Sequence, residues 1–180
     1  MSKIISHLKT IIKHKFEVFK ACVSLGIPWL GFMHDWSKFS PIEFFESAKY
    51  YTGTSSPIDQ AKIAKGYSLA WMHHKGHNPH HWEYWIDWCY ETGALQIARK
   101  MPFKRCLEFM ADCIGAGKTY EGKEWTILRP FERWMINRDR YMFHKETRLL
   151  LTILFKAYSN GRLTKNTISD LKFKYEHSIL

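Results

Sequence analysis

Residues 2–26, "SKIISHLKTIIKHKFEVFKACVSLG", decide the fold class because their apolar side chains recur at the spacing of an α-helix. The positions that follow this period are Ile4, Leu8, Ile11, Ile12, Val18, Phe19 and Cys22. The pattern predicts an amphipathic helix, and Gly26 marks its end. His7 and His14 are two helical turns apart, so the helix presents both on roughly one face.

Helical patterns continue through most of the remaining chain. We expect a short helix carrying His34 and Asp35, and another that begins at Pro41 with Ser40 as its N-cap. The later helical segments are 57–74, 80–93, 102–115, 131–141, 145–158 and 164–179, and 94–102 is ambiguous between a strand and an extended connection. In this interpretation Gly115 and its near neighbour Gly117 end the helix that begins at Pro102.

The composition indicates one folded domain with anionic partners. A chain of 180 residues is long enough for its own core, and we predict a single all-α domain over 1–180, with its motifs in 4–120 and a helical extension over 121–180. Lys and Arg number 27 against 17 for Asp and Glu, so the formal charge of +10 makes nucleotides and nucleic acid candidate partners. A solubilising, lysine-rich surface is the alternative, because the basic residues are scattered.

Other global features concern the location of the protein. The four cysteines form no CxxC pair, and the N-terminus lacks the apolar core of a secretory signal. No stretch approaches the roughly 18 apolar residues of a membrane span. We therefore expect a cytoplasmic protein without a membrane partner, and its oligomeric state stays open.

The chemistry of the chain is concentrated in its histidines and acids. Five of the ten histidines fall in the stretch 73–81, "HHKGHNPHH". His34 and Asp35 are adjacent, and Glu108 and Asp112 share one face of a predicted helix. A histidine tract can bind metal only adventitiously, and an i, i+4 acid pair is often only a solvated edge. Their combination nevertheless indicates a metal site.

The order of these residues resembles the HD-domain superfamily of metal-dependent phosphohydrolases. That superfamily has a His on an early helix, an adjacent His-Asp pair about a helical hairpin later, and a distant Asp on a later helix. "HDWSKF", residues 34–39, is similar to its His-Asp-x-Gly-Lys stretch, with Ser37 in place of Gly. More closely, "HDWSKFSPIEF", "HNPHHWEYW" and "MADCIGAG" resemble a family of bacteria and bacteriophages, the domain of unknown function 5662, over residues 4–120.

The resemblance implies an HD-like helical fold and a metal-dependent phosphohydrolase. A nucleotide or related phosphoester would be attacked by a metal-activated water. One or two divalent ions of Mn, Fe, Co, Ni or Zn suit imidazole and carboxylate ligands. The implied ligands are His7, His34, Asp35, His74, His80, His81 and Asp112, with the choice between His80 and His81 left open.

Some further residues are candidates for catalysis and substrate binding. Asp35 would be catalytic because its two oxygens can bridge two ions, and Lys38 lies one turn later, where its charge can stabilise the phosphoester. Lys75 is a second candidate cation, and Trp82 could stack on a nucleobase or simply pack in the core. Asn78, before a proline, is either an oxygen ligand or a turn residue, and we favour the turn.

Two other functions are compatible with the same residues. A basic protein that binds nucleic acid could use the metal structurally, and it would show salt-dependent binding without turnover. A di-iron oxygenase of the HD type would consume oxygen instead of releasing phosphate.

Overall fold

The protein consists mainly of α-helices, and the predicted all-α class is confirmed. The computed structural model describes residues 2–90, 93 and 95–180. Its α-helices are α1 (Lys3–Ser24), α2 (Pro28–Met33), α3 (Pro41–Lys49), α4 (Pro57–Lys65), α5 (Leu69–His77), α6 (Phe103–Glu121), α7 (Arg129–Asn137), α8 (Lys145–Ser159) and α9 (Lys165–Glu176). Short 3₁₀ turns cover Trp36–Phe39, Trp82–Trp85, Gly122–Glu124 and Arg138–Arg140. Within the described ranges, no helix combines the length and apolar character needed to cross a membrane.

The long helices α1 and α6 form the centre of the fold. They contact each other so closely that a Cβ atom on Gly115 would lie 2.4 Å from Val18 Cγ2 and 2.9 Å from the Val18 backbone nitrogen. Only glycine allows such an approach of two helix backbones. His14 lies one turn before Val18, and Asp112 lies one turn before Gly115. The close contact therefore brings these two side chains together.

The C-terminal helices belong to the same hydrophobic core. Leu150, Leu154 and Phe155 of α8 are fully buried and belong to one cluster with residues of α1 and α6. Tyr175 of α9 is 1 % exposed, and its hydroxyl lies 2.6 Å from the Met101 carbonyl oxygen, to which it donates. The segment 121–180 thus packs against the motif-bearing part of the chain.

Four predicted segments differ from the observed elements. The helix expected over 57–74 is interrupted at Gly66, whose φ of +81° ends α4 before α5 begins. In contrast, α6 continues past Gly115 and Gly117 to Glu121, because these glycines make room for neighbouring side chains and do not adopt positive φ.

The segment expected to be helical over 80–93 instead forms a 3₁₀ turn and one strand of a hairpin. Strand β1 (Ile86–Asp87) pairs antiparallel with β2 (Ile97–Ala98), with Ile86 opposite Ala98. The strand alternative for 94–102 is therefore the one observed at Ile97–Ala98. Residues 91, 92 and 94 of these two predicted segments lie outside the described residues.

The His34–Asp35 pair lies at a sharp turn and not within the short helix that we expected. His34 follows the last residue of α2, and Asp35 adopts a left-handed conformation with φ +55° and ψ +32°. This conformation is uncommon for residues other than glycine, and Asp and Asn tolerate it best. The Lys15 side chain donates a hydrogen bond to the His34 carbonyl oxygen and ties the turn to α1.

Candidate metal centre

Side chains from four parts of the chain meet in one buried cluster. α1 supplies His14, the turn after α2 supplies His34 and Asp35, and α6 supplies Glu108 and Asp112. α5 and the turn that follows it supply His74, His80 and His81. The described residues form three groups that could each hold a metal ion. Within each group, all donor atoms lie within 4.8 Å of one another. The groups are His14, His34, Asp35 and Asp112; Asp35, His74, His80 and His81; and His34, His80 and Glu108.

Asp35 is shared by two of these groups, and each of its oxygens faces a different pair of imidazoles. Oδ2 lies 3.2 Å from His34 Nε2 and 3.6 Å from His14 Nε2. Oδ1 lies 3.4 Å from His74 Nε2 and 3.5 Å from His80 Nε2. One fully buried carboxylate therefore stands between two sets of ring nitrogens.

Asp112 forms the opposite wall of the first group. Its Oδ1 lies 3.1 Å from His14 Nε2 and 3.4 Å from His34 Nε2, and its Oδ2 lies 3.9 Å from His80 Nε2. Its side chain is 18 % exposed, whereas that of Asp35 is fully buried. The cluster is thus closed on the Asp35 side and opens beside Asp112.

The donor atoms fit a metal ion because burial leaves them without ordinary partners. The Nε2 atoms of His14, His34, His80 and His81 make no hydrogen bond of good geometry with any described residue. A buried polar atom without a partner costs about 1–3 kcal/mol, so native proteins seldom contain a cluster of them. A divalent cation would satisfy these lone pairs and offset the charges of the carboxylates.

Carboxylates behind the cluster orient the histidine rings. Glu43 Oε2 lies 2.8 Å from His74 Nδ1, and Glu108 Oε1 lies 3.3 Å from His34 Nδ1 and 3.4 Å from His80 Nδ1. These contacts turn the Nε2 atoms of all three rings towards Asp35. Hydrogen bonds of this kind are the usual outer partners of metal-ligating histidines.

The pKa shifts of the histidines depend on which acids they face. Burial, together with the charges of neighbouring histidines, lowers the pKa of both His80 and His81, so their rings are neutral and keep a lone pair. Burial alone would also lower the pKa of His34, but the charge of Asp35, the Asp112 carboxylate 3.4 Å from Nε2 and the hydrogen bond to Glu108 raise it well above its usual value. In the absence of a metal ion, His34 therefore carries the proton that offsets part of the acidic charge.

Lys38 provides a positive charge next to the cluster. Its Nζ lies 2.6 Å from Asp35 Oδ2, one turn earlier in the chain. Burial would lower the pKa of Lys38, but the charges of Asp35 and Asp112 raise it, so the ammonium group stays charged. Burial would likewise raise the pKa of Asp35, yet the charges of His34 and Lys38 hold it well below its usual range.

A cavity of about 560 Å³ opens onto the cluster. Its wall includes His14, His74, His81 and Asp112 of the metal groups, and the ammonium-bearing Lys38. The wall also includes aromatic side chains, further cations and acids: Trp71, Trp82, Phe109, Tyr120, Tyr141, Lys62, Arg140, Glu43, Asp59 and Glu83. A small molecule in this cavity would contact the cluster and the aromatic rings together.

The structure brings most of the expected ligands together, with one exchange on α1. His34, Asp35, His74, His80, His81 and Asp112 all belong to the described metal groups. His7 belongs to none of them, and His14 stands in the position that we expected for His7. The choice depends on the α1–α6 contact at Val18 and Gly115, which no local pattern reveals.

The candidate substrate-binding residues divide between the cavity and its surroundings. Trp82 lines the cavity and also packs against Tyr141 and Phe143. Its position is therefore compatible both with stacking on a nucleobase and with packing in the core. Lys75 is not among the described residues of the cavity wall, where Lys62 supplies a cation instead. Asn78 ends α5 and donates hydrogen bonds to Ser37 Oγ and the His74 carbonyl, as expected for a turn residue.

Sequence comparison assigns the chain to a family. Residues 3–157 match the model of DUF5662, described as a family of unknown function. The chain belongs to that family. No curated protein and no solved structure matches the chain. The DUF5662 match includes every residue of the three metal groups and ends within α8.

Proposed function

We propose that this DUF5662 protein is a metal-dependent phosphohydrolase of the HD-domain type, acting on a nucleotide or a related phosphoester. The single observation that supports this proposal most strongly is the position of Asp35. Its two oxygens face two separate sets of imidazole nitrogens, of which those of His14, His34 and His80 lack a hydrogen-bond partner among the described residues. A carboxylate so placed suits two neighbouring divalent ions, of Mn, Fe, Co, Ni or Zn.

The bound ions would supply Lewis acidity, which makes water a nucleophile at neutral pH and stabilises charge on phosphate oxygens. The protein provides the other requirements. Asp35, Asp112 and the histidines would hold the ions, and Lys38 offers a charge of the right sign for a phosphate oxygen at the cavity wall. Trp71 and Trp82 give the cavity rings against which a base could stack.

The open side of the cluster supports catalysis over a purely structural metal. Structural metal sites are closed by protein ligands, whereas catalytic sites keep a position for water or substrate. Here His14, His74, His81 and Asp112 line a cavity of about 560 Å³. A nucleic-acid-binding protein with a structural ion would not need this space.

The test combines metal analysis of the purified protein with a screen of phosphatase and phosphodiesterase substrates in Mn²⁺, Co²⁺ or Ni²⁺. We expect phosphate release that Asp35→Asn lowers by more than about 100-fold, with loss of bound metal. Asp170→Asn is the matched control, because the Asp170 side chain is 57 % exposed and, among the described residues, forms an ion pair only with Lys174 on the same helix. Thermal unfolding of each variant verifies that it is folded.

Two results would reject the proposal. One is an Asp35→Asn protein that stays folded and releases phosphate at the wild-type rate. The other is a metal-loaded wild type that releases no phosphate from any substrate. Oxygen consumption in that second case would favour the di-iron oxygenase, and salt-dependent binding of nucleic acid would favour the binding protein.

A further inference from the structure

His7 is a buried histidine whose imidazole has no polar partner. The residue is 5 % exposed, and neither Nδ1 nor Nε2 makes a hydrogen bond with any described residue. Leaving such a group buried and unpaired destabilises the folded state, whereas an apolar side chain of similar shape would not. The two ring nitrogens are therefore available for hydrogen bonds to a bound ligand.

That ligand is not the metal. His14 supplies the imidazole of α1 to the metal groups, and His7 belongs to none of the groups formed by the described residues. The two histidines lie two turns apart, and helix geometry separates their backbones by roughly 10 Å along the axis. His7 shares no such group with His14, so its nitrogens do not face the ion that these groups could hold.

The side chains packed around His7 are aromatic or carry hydroxyl groups. Its ring packs against Phe44 at 5.5 Å and Tyr51 at 5.4 Å between centroids. The Tyr51 hydroxyl lies 2.7 Å from Thr10 Oγ1, and Thr10 Oγ1 also donates to the Ser6 carbonyl. His7, Thr10, Ser47 and Tyr120 all line the cavity that contains Asp112 and Lys38.

The charge state of His7 indicates what it could bind. Burial and the nearby charge of Lys38 lower its pKa to about 4, so the imidazole is neutral at pH 7. A neutral imidazole has one N–H donor and one acceptor nitrogen. An ionised phosphate only accepts hydrogen bonds and is better matched by Lys38, whereas an alcohol hydroxyl both donates and accepts.

We propose that His7 binds a hydroxyl group in the alcohol portion of the phosphoester, so that the substrate is an ester of a polyhydroxylated alcohol such as a ribose. This inference rests on the proposed function and defines its substrate class more narrowly. The phosphate would lie at the Lys38 side of the cavity, and the sugar would lie between the metal groups and the ring of His7.

The experiment compares two probes, ribose 5-phosphate and inorganic phosphate, by calorimetric titration of the Mn²⁺-loaded protein. His7→Phe keeps an aromatic ring between Phe44 and Tyr51 but removes both nitrogens. We expect it to weaken ribose 5-phosphate binding about 10-fold and to change phosphate binding less than about 2-fold, with metal content unchanged. His7→Gln should recover part of the loss because its amide also donates and accepts.

His14→Phe is the matched control on the same helix face, and it should lose metal. Parallel metal loss in His7→Phe would overturn the inference and make His7 a ligand. Equal weakening of both probes, or a wild type that binds ribose 5-phosphate no better than phosphate, would also overturn it. If the wild type binds both probes but hydrolyses no substrate, the proposed reaction fails, and the ratio of the two affinities still decides the role of His7.

Discussion

Replacing Gly115 by alanine should separate α1 from α6 and weaken the metal centre at a distance. The added Cβ would lie 2.4 Å from Val18 Cγ2 and 2.9 Å from the Val18 nitrogen, whereas non-bonded carbon atoms pack at about 3.5–4.0 Å. Part of the clash involves the backbone, so a change of side-chain rotamer cannot relieve it. The two helices must move apart by roughly 1 Å.

The stability change is the difference between two opposing effects. Overpacking of this kind costs about 1–3 kcal/mol, and the better helix propensity of alanine returns up to about 1 kcal/mol. We therefore expect a loss of about 1–2 kcal/mol, which lowers Tm by roughly 2–8 °C in a chain of this size. His14 Nε2 and Asp112 Oδ1, now 3.1 Å apart, would separate as well, so affinity for Mn²⁺ should fall at least about 10-fold.

Thermal unfolding with and without Mn²⁺ measures both effects, because an ion bound only by the folded state raises Tm by an amount that grows with the logarithm of its affinity. Gly76→Ala is the control: it lies near the end of α5, and an added Cβ there meets no described atom within 4 Å. Val18→Ala combined with Gly115→Ala should recover part of the loss, since it removes the nearest methyl group. A Gly115→Ala protein with the Tm and Mn²⁺ affinity of the wild type would refute the reasoning.

The remaining predictions concern the surroundings of the site. Glu43→Gln should lower Mn²⁺ affinity about 10- to 100-fold by releasing the His74 ring, and unchanged affinity in a metal titration would contradict this. Burial alone would raise the pKa of Glu46, but hydrogen bonds from Lys65 and the start of α5 lower it to about 2. Its stabilisation is thus complete above about pH 4.5 and lost as the pH falls towards 2, so Glu46→Gln should cost about 2 kcal/mol in urea unfolding at pH 7 and much less at pH 3. Tyr175→Phe should destabilise the protein by about 1–3 kcal/mol, because it leaves the buried Met101 carbonyl with only the weak donor of the Cys106 thiol, and an unchanged Tm would contradict this.

Local sequence patterns were sufficient for most helices but not for their ends. The apolar period of 2–26 predicted α1 within two residues, since burial of one helix face fixes that pattern. Gly115 was interpreted as a stop because glycine is common after helix ends. Its role depends instead on Val18, a residue far away in the sequence, and only the packed structure brings the two together.

The candidate metal centre shows the same division between residue type and position. The His-Asp pair, the histidine cluster and Asp112 could be selected from their chemistry and order. His7 and His14 could not be separated, because both lie on one face of α1 and the contact with α6 decides between them. Glu43 gave no signal, since its role as a partner of His74 requires α3 and α5 to pack side by side.

The left-handed backbone at Asp35 leaves this position without a conservative replacement. Glutamate would keep the charge, but it is less suited to positive φ and would carry its carboxylate one methylene further from the ring nitrogens. Asparagine would tolerate the backbone, but its amide group supplies one oxygen instead of two and no charge. Substitution of Asp35 should therefore nearly always disrupt the proposed metal site. A DUF5662 relative with any residue other than aspartate at this position should be regarded as lacking that site.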